Sequence, residues 1–248
     1  LDGENASQKI IPFTDALAIS VPVISLSELS VEARESEAYN LATKLCQKPF
    51  DLESVPQLRT GLFRVAKEVS LLVISLPHIV ADGWSIMLLM QELGILYRQF
   101  TATDAIVSVE QPQLSDLPIQ VADFAIWQRQ QMQGQYLPNS LVYWAKHLDG
   151  APNKLDLPMD YARAEQRTFE GAMYFLPISD HIQEALLAFC KHRAATPYMV
   201  LLAALEIVLF HWTKQTDIVL GTVMANRQHP DIAQVIGCFV NFLPLRLQ

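Results

Sequence analysis

The sequence predicts a mixed α/β fold, and three observations carry that prediction. Residues 71–76, Leu-Leu-Val-Ile-Ser-Leu, form an apolar run with β-branched members, the pattern of a strand buried on both faces. Beyond it Ile86, Leu89, Met90, Leu93, Leu96 and Tyr97 recur at helical spacing, with Ser85 as the expected N-cap, so strand, loop and helix follow within one short segment. Elsewhere strand patterns alternate with helix patterns, which argues for mixed layers rather than an all-helical or all-strand fold.

The elements are justified in chain order. Residues 1–30 carry short apolar runs broken by Pro12 and Pro22, as edge strands or extended linkers do. Residues 31–47 place Ala38, Leu41, Ala42 and Leu45 on one helical face, and Pro49 ends that helix. Residues 61–65 and 69–76 read as a strand pair around a polar turn. The segment 101–118, rich in Thr, Ser, Gln and Pro, reads as a surface loop. Helices are expected at 119–133 and 141–148, with Phe124, Trp127, Tyr143 and Trp144 as packing residues. Residues 150–166, with Pro152, Pro158 and many charges, have the composition of a connector between lobes. A strand at 171–177, an amphipathic helix at 180–194 capped by Ser179 or Asp180, a strongly apolar buried helix at 197–213 and a core strand at 217–224 complete the expectation.

A chain of 248 residues that is 51% apolar can bury a sizeable core, as one large domain or as two lobes. Eighteen basic against 26 acidic residues give a formal charge of −8 without a cluster of Lys and Arg, which argues against nucleic acid as a partner. Cys46, Cys190 and Cys238 are odd in number and widely spaced, so neither a disulfide framework nor a zinc site is indicated, and a reducing cytoplasm fits. The longest apolar run, around Met199 to Phe210, is too short to span a bilayer and contains Glu206, so no membrane is expected.

Candidate chemistry gathers just after the strand at 71–76. Proline lacks a ladder N–H, so Pro77 ends the strand and delivers His78 into the loop. An imidazole titrates near neutral pH and suits proton transfer in acyl chemistry, although a histidine at a strand end also serves as a simple hydrogen-bonding group. His78 and Asp82 have no third ligand at metal spacing. Gly83 offers a positive-φ turn and close approach, against the plainer reading of a turn glycine. Ser85 lacks the Gly-x-Ser-x-Gly context of a nucleophile and reads as a cap. Trp84, Trp127, Phe239 and Phe242 sit at apolar positions, where aromatics are usually core.

The motif His78-x-x-x-Asp82-Gly83-Trp84-Ser85 resembles the His-His-x-x-x-Asp-Gly motif of nonribosomal peptide synthetase condensation domains, in the chloramphenicol acetyltransferase-like superfamily. Blocks typical of that family accompany it in order: Pro49-Phe50-Asp51-Leu52 with Arg59, Ala122-Asp123-Phe124, Tyr143-Trp144, Asp217-Ile218-Val219-Leu220-Gly221, Ala225-Asn226-Arg227, and Ile236-Gly237-Cys238-Phe239-Val240-Asn241. Three departures stand out. Pro77 occupies the place of the first histidine, Phe242 that of a common threonine, and Val223 that of a common proline. Motifs expected at both ends of the family's domain are missing, so an internal piece of a longer domain is expected.

The resemblance implies a two-lobed fold: an N-terminal lobe over 1–155, a connector at 156–170 and the beginning of a C-terminal lobe over 171–248. It also implies amide-bond formation between a donor acyl or peptidyl thioester and the amine of an acceptor aminoacyl thioester. Both substrates would ride on phosphopantetheine arms of carrier proteins, with no cofactor bound by this chain and an adenylation domain adjacent. His78 would orient the amine or take its proton. Asp82 would brace the loop against an arginine that is Arg227, Arg246 or a residue beyond the chain, and the Gly83 N–H would face the reacting carbonyl. Trp84, Ser85 and Asn241 are candidates for the substrate tunnel. Two alternatives stay open: another acyltransferase of the superfamily, and a non-catalytic relative that recruits a partner enzyme.

Overall fold

The computed structural model describes residues 7–12, 14, 18–101, 114–162, 166 and 171–248. The middle of the expected loop, 102–113, and part of the expected connector, 163–165 and 167–170, lie outside the described residues. By contacts the chain divides into two compact units, 1–133 with 225–241 and 134–224 with 242–248.

In the first unit, β1 (Val23–Ser25), β2 (Arg59–Arg64) and β3 (Ser70–Ser75) form a sheet in that order. β1 runs parallel to β2, and β2 antiparallel to β3 with Gly61 opposite Val73 and Leu62 opposite Leu72. Helix α1 (Val31–Gln47) lays the expected apolar face on this sheet: Ala38 joins Leu26 and Phe63 in a buried cluster flanked by Leu41, Ala42, Leu45 and Val73. Its last turn needs partners for carbonyls that have no intrahelical donor. Arg59 supplies them, donating to the carbonyls of Leu45 (3.1 Å), Lys48 (2.8 Å) and Pro49 (3.2 Å) while its guanidinium lies 4.1 Å over the Phe50 ring. Helices α2 (Gly83–Thr101) and α3 (Val121–Met132) and a short 3₁₀ turn at Pro230–Ile232 are the other regular elements described in this unit.

The second unit holds α4 (Tyr136–Leu148), α5 (Asp180–Arg193), α6 (Pro197–Thr213), β4 (Ile218–Met224) and, but for its first residue, β5 (Asn241–Leu247), which pairs with β4. The helix ends obey local rules. α5 stops at Ala194 in the left-handed region (φ 49°), and the Thr196 hydroxyl caps α6 by accepting from the Met199 N–H at 3.2 Å, with Pro197 in the first turn. Arg246 pairs with Asp217 through Nε (2.9 Å) and donates to the carbonyls of His147 (2.9 Å) and Asp149 (2.8 Å), tying the end of α4 to the β-ribbon.

Four expectations change. Residues 171–177 form no strand; they pair with no neighbour among the described strands, and Tyr174 is 87% exposed. α6 has the expected bounds but is not buried: Leu209 is its one buried side chain, because α5 packs on only part of a helix that is apolar all round and a cavity lies between α6 and β4. α4 begins at Tyr136 rather than 141, since Pro138 falls in the first turn, where a missing N–H costs nothing. α2 begins at Gly83, two residues before the expected cap. Among the described residues no single helix is long and apolar enough to cross a membrane.

Phe63→Ala empties the centre of the first unit's core and should lower stability by about 3–5 kcal/mol, whereas Tyr39→Ala, on the exposed side of α1, should change it by no more than about 0.5 kcal/mol. Urea unfolding of the two variants checks the difference.

Candidate active site

The site grows out of the end of β3. Pro77 offers no N–H to the ladder, and its carbonyl accepts from the Val80 N–H (3.1 Å), closing a tight turn with His78 exposed at the tip. The chain then dives inward through buried Ala81 and Asp82 before α2 begins. One carboxylate oxygen of Asp82 accepts from the backbone N–H of Ser85 at 2.8 Å, three residues on. That is the geometry of an N-cap, so Asp82, not Ser85, starts the helix.

Asp82 does more than cap. Its side chain is 0% exposed and its partner Arg227, at 3.0 Å, 1%. The second carboxylate oxygen accepts from the Phe239 N–H at 3.0 Å. Arg227 also donates to the carbonyls of Ile232 and Val235 (both 2.7 Å) and to the Ser85 hydroxyl (2.8 Å), with its guanidinium 4.3 Å over the Phe239 ring. Ser85 donates to the Gly237 carbonyl (2.7 Å) and accepts from the Gly237 N–H (2.9 Å). Burial pushes the Asp82 carboxyl pKa up, but the N–H groups of Ser85 and Phe239, the Ser85 side chain and Arg227 together outweigh it and hold the group below the usual carboxylate range. Asp82 is therefore an anion that braces the loop, and its arginine is Arg227; Arg246 is engaged by Asp217.

The remaining predicted residues separate into inward and outward sets. Ser85 is fully buried with its hydroxyl saturated, so it faces no substrate space and its place among the tunnel candidates is withdrawn. Gly83 does not use the positive φ expected of it; it is the first residue of α2, and a Cβ there would meet nothing within 4 Å. Trp84 is half-exposed and donates its indole N–H to the Ala233 carbonyl at 2.9 Å. Asn241 lines a cavity of about 700 Å³ together with Phe124, Gln128, Arg129, Asn226 and Cys238.

Two members of the site escaped sequence reasoning. Gly237 is needed for close approach, since a Cβ would lie 2.5 Å from the Val121 side chain. Cys238 sits with its sulfur 3.7 Å from His78 Nδ1. The Gly-Cys-Phe run carried a signal only as a family block, because contacts 152 to 160 residues apart leave no local periodicity. Among the described residues no group of His, Cys, Asp or Glu is placed to hold a metal ion.

Asp82→Asn leaves Arg227 buried without a counter-charge and should cost about 3–5 kcal/mol near neutral pH. Because the Asp82 pKa is depressed in the fold, its stabilisation is complete above the unfolded carboxylate value, about 3.9, and is lost as pH falls through the lower folded value. The stability gap between wild type and Asp82→Asn should thus be level above about pH 5 and shrink in more acidic buffer, which denaturant titrations across pH will show. Gly237→Ala should cost about 1–3 kcal/mol through overpacking, and Val121→Ala should recover part of that loss in the double variant, measured by the same titrations.

Comparison with known proteins places this geometry. A family model described as the condensation domain matches residues 3–248. A linear gramicidin synthase protein from Brevibacillus parabrevis is 37% identical over 224 residues, 90% of this chain and 4% of that protein. Phosphinothricin tripeptide synthetase PhsC of Streptomyces viridochromogenes is 37% identical over 248 residues, all of this chain and 22% of the synthetase. The chain thus spans a small fraction of the curated relatives it matches. The first condensation domain of the calcium-dependent antibiotic synthetase, in complex with a substrate analogue, superposes with a TM-score of 0.74 at 21% identity, covering 92% of this chain and 51% of that one, and so shares the fold. With the family's blocks matched along almost its whole length, the chain belongs to the condensation domain family.

Proposed function

We propose that this chain supplies the catalytic loop of a domain that joins a donor acyl or peptidyl thioester to the amine of an acceptor aminoacyl thioester. The observation that carries the reading is the division across the loop and the first turn of α2: Asp82 and Ser85 are locked inward on Arg227 and Gly237, while His78 stands exposed at the loop's tip. An exposed imidazole on a rigid support is what proton transfer at a docked substrate requires.

In this mechanism His78 holds the acceptor amine and takes its proton as nitrogen attacks the donor carbonyl. The tetrahedral oxyanion faces the first turn of α2, where backbone N–H groups such as that of Gly83 have no intrahelical partner. Collapse forms the amide and expels the donor thiolate, which receives the proton. Both thioesters arrive on phosphopantetheine arms of carrier proteins, so the partners are upstream and downstream carriers with an adenylation domain in the same polypeptide, in the cytoplasm. Trp84 and Asn241 border the substrate path. The lobe connector stays at 156–170 on its proline and charge content, a division by chain order; by contacts, 225–241 returns to the first unit.

Joint retention of His78, Asp82 and Gly83 supports the catalytic reading over recruitment, for which Pro77 in place of the first histidine is the contrary sign. The Pro77 carbonyl closes the turn at Val80, a bond that any residue at this position can supply. In the complete synthetase, His78→Ala should slow transfer of the donor acyl group onto the acceptor carrier by roughly 10² to 10⁴, scored by mass spectrometry of intact carriers. Wild-type-like transfer by a folded His78→Ala protein sinks the proposal.

A further inference from the structure

The backbone of residues 237–239 is stitched to the loop on alternate residues. Gly237 exchanges bonds with Ser85 and accepts from the Asp82 N–H, and Phe239 donates to Asp82. Cys238, between them, points its side chain elsewhere, and there it meets the Nδ1 of His78 at 3.7 Å, within reach of a hydrogen bond to sulfur. Cys238 is a free thiol and lines the cavity shared with Asn226 and Asn241. The Asp82 carboxylate, spent on Ser85, Phe239 and Arg227, is not in position to orient the imidazole, as a carboxylate does in many histidine sites.

A neutral imidazole carries one N–H and one lone pair, and what binds one nitrogen decides what the other can do. If the thiol donates to Nδ1, the proton sits on Nε2 and His78 has no free lone pair for the amine. If Nδ1–H donates to the sulfur, Nε2 keeps its lone pair for the amine. We propose that Cys238 is a positioning residue for the condensation step: its sulfur accepts from His78 Nδ1–H, selects that tautomer and fixes the ring so that Nε2 receives the proton of the acceptor amine. The inference rests on the amide-forming role of His78. It assigns Cys238 no covalent part; the sulfur forms and breaks no bond during turnover.

Two substitutions separate hydrogen bonding from packing. Cys238→Val keeps an apolar side chain of similar size without an acceptor, and Cys238→Ser keeps an acceptor in a smaller side chain. In the complete synthetase, Cys238→Val should lower kcat about tenfold with KM for the acceptor carrier unchanged, as expected for one modest hydrogen bond, and Cys238→Ser should restore most of the rate. Nitrogen-15 NMR of the histidine-labelled protein gives a readout independent of turnover: His78 should hold its proton on Nδ1 in the wild type and shift toward the Nε2–H form, the one favoured by free histidine, in Cys238→Val. A wild-type His78 protonated on Nε2, or a Cys238→Val protein with full activity and an unchanged tautomer, overturns the proposal. Failure of the underlying reading looks different: wild type and His78→Ala then transfer at the same rate, whatever tautomer His78 holds.

Discussion

A pair of charges withdrawn from water, Asp82 and Arg227, holds the described site together. Burial of such a pair is costly, several kcal/mol per ion even after relaxation, and Coulomb attraction offsets this only where the remaining hydrogen-bonding capacity is also met. Here both carboxylate oxygens accept from backbone N–H groups and both terminal nitrogens of the arginine find oxygen acceptors, while its buried Nε has no partner among the described residues. The pair is thus less a source of net stability than a device for register. It fixes where residues 227–239 lie against the loop after β3, because a slip of one residue would exchange bonded for unbonded backbone groups and strand a charge.

From that register the division of labour follows. Side chains on the inner side of the loop are saturated and have no chemistry to spare: Asp82 is an anion held by the Ser85 and Phe239 N–H groups and by Arg227, and the Ser85 hydroxyl both donates and accepts. Those on the outer side, His78, Gly83 and half-exposed Trp84, rest on a base that cannot rearrange without breaking the buried network. Close approach at Gly237, with Val121 where a side chain would be, presses the segment against α3 and seats Phe239 edge-on to Phe124 at 5.0 Å. Loop polarity and aromatic packing are in this sense one construction, with Phe239 serving both as a core residue and as the ring beneath the Arg227 guanidinium.

Much of the secondary structure was legible because its causes are local. The apolar face of α1, the proline and threonine that open α6, and the strand pair around a polar turn each answer to neighbours within a few residues. Errors arose where the deciding partner was distant. Residues 171–177 have strand composition but, among the described residues, no neighbouring strand to complete a ladder, and α6 has the composition of a buried helix while most of its side chains remain exposed. Composition reports what a segment is able to bury, not what is there to cover it.

By itself, then, the sequence determined the α/β class, the order of most elements, and the placement of His78, Asp82 and Gly83 between strand and helix, since strand, proline break and helix lie within one short stretch and the motif is contiguous. It left Asp82 with a choice of arginines and read Ser85 as the cap. Only the tertiary structure decided that Arg227 is the partner, that Asp82 caps α2 and that Cys238 stands beside His78, because each depends on a chain segment about 150 residues away arriving in one register. That register is set by buried hydrogen bonds and close packing in three dimensions, which no local spacing encodes.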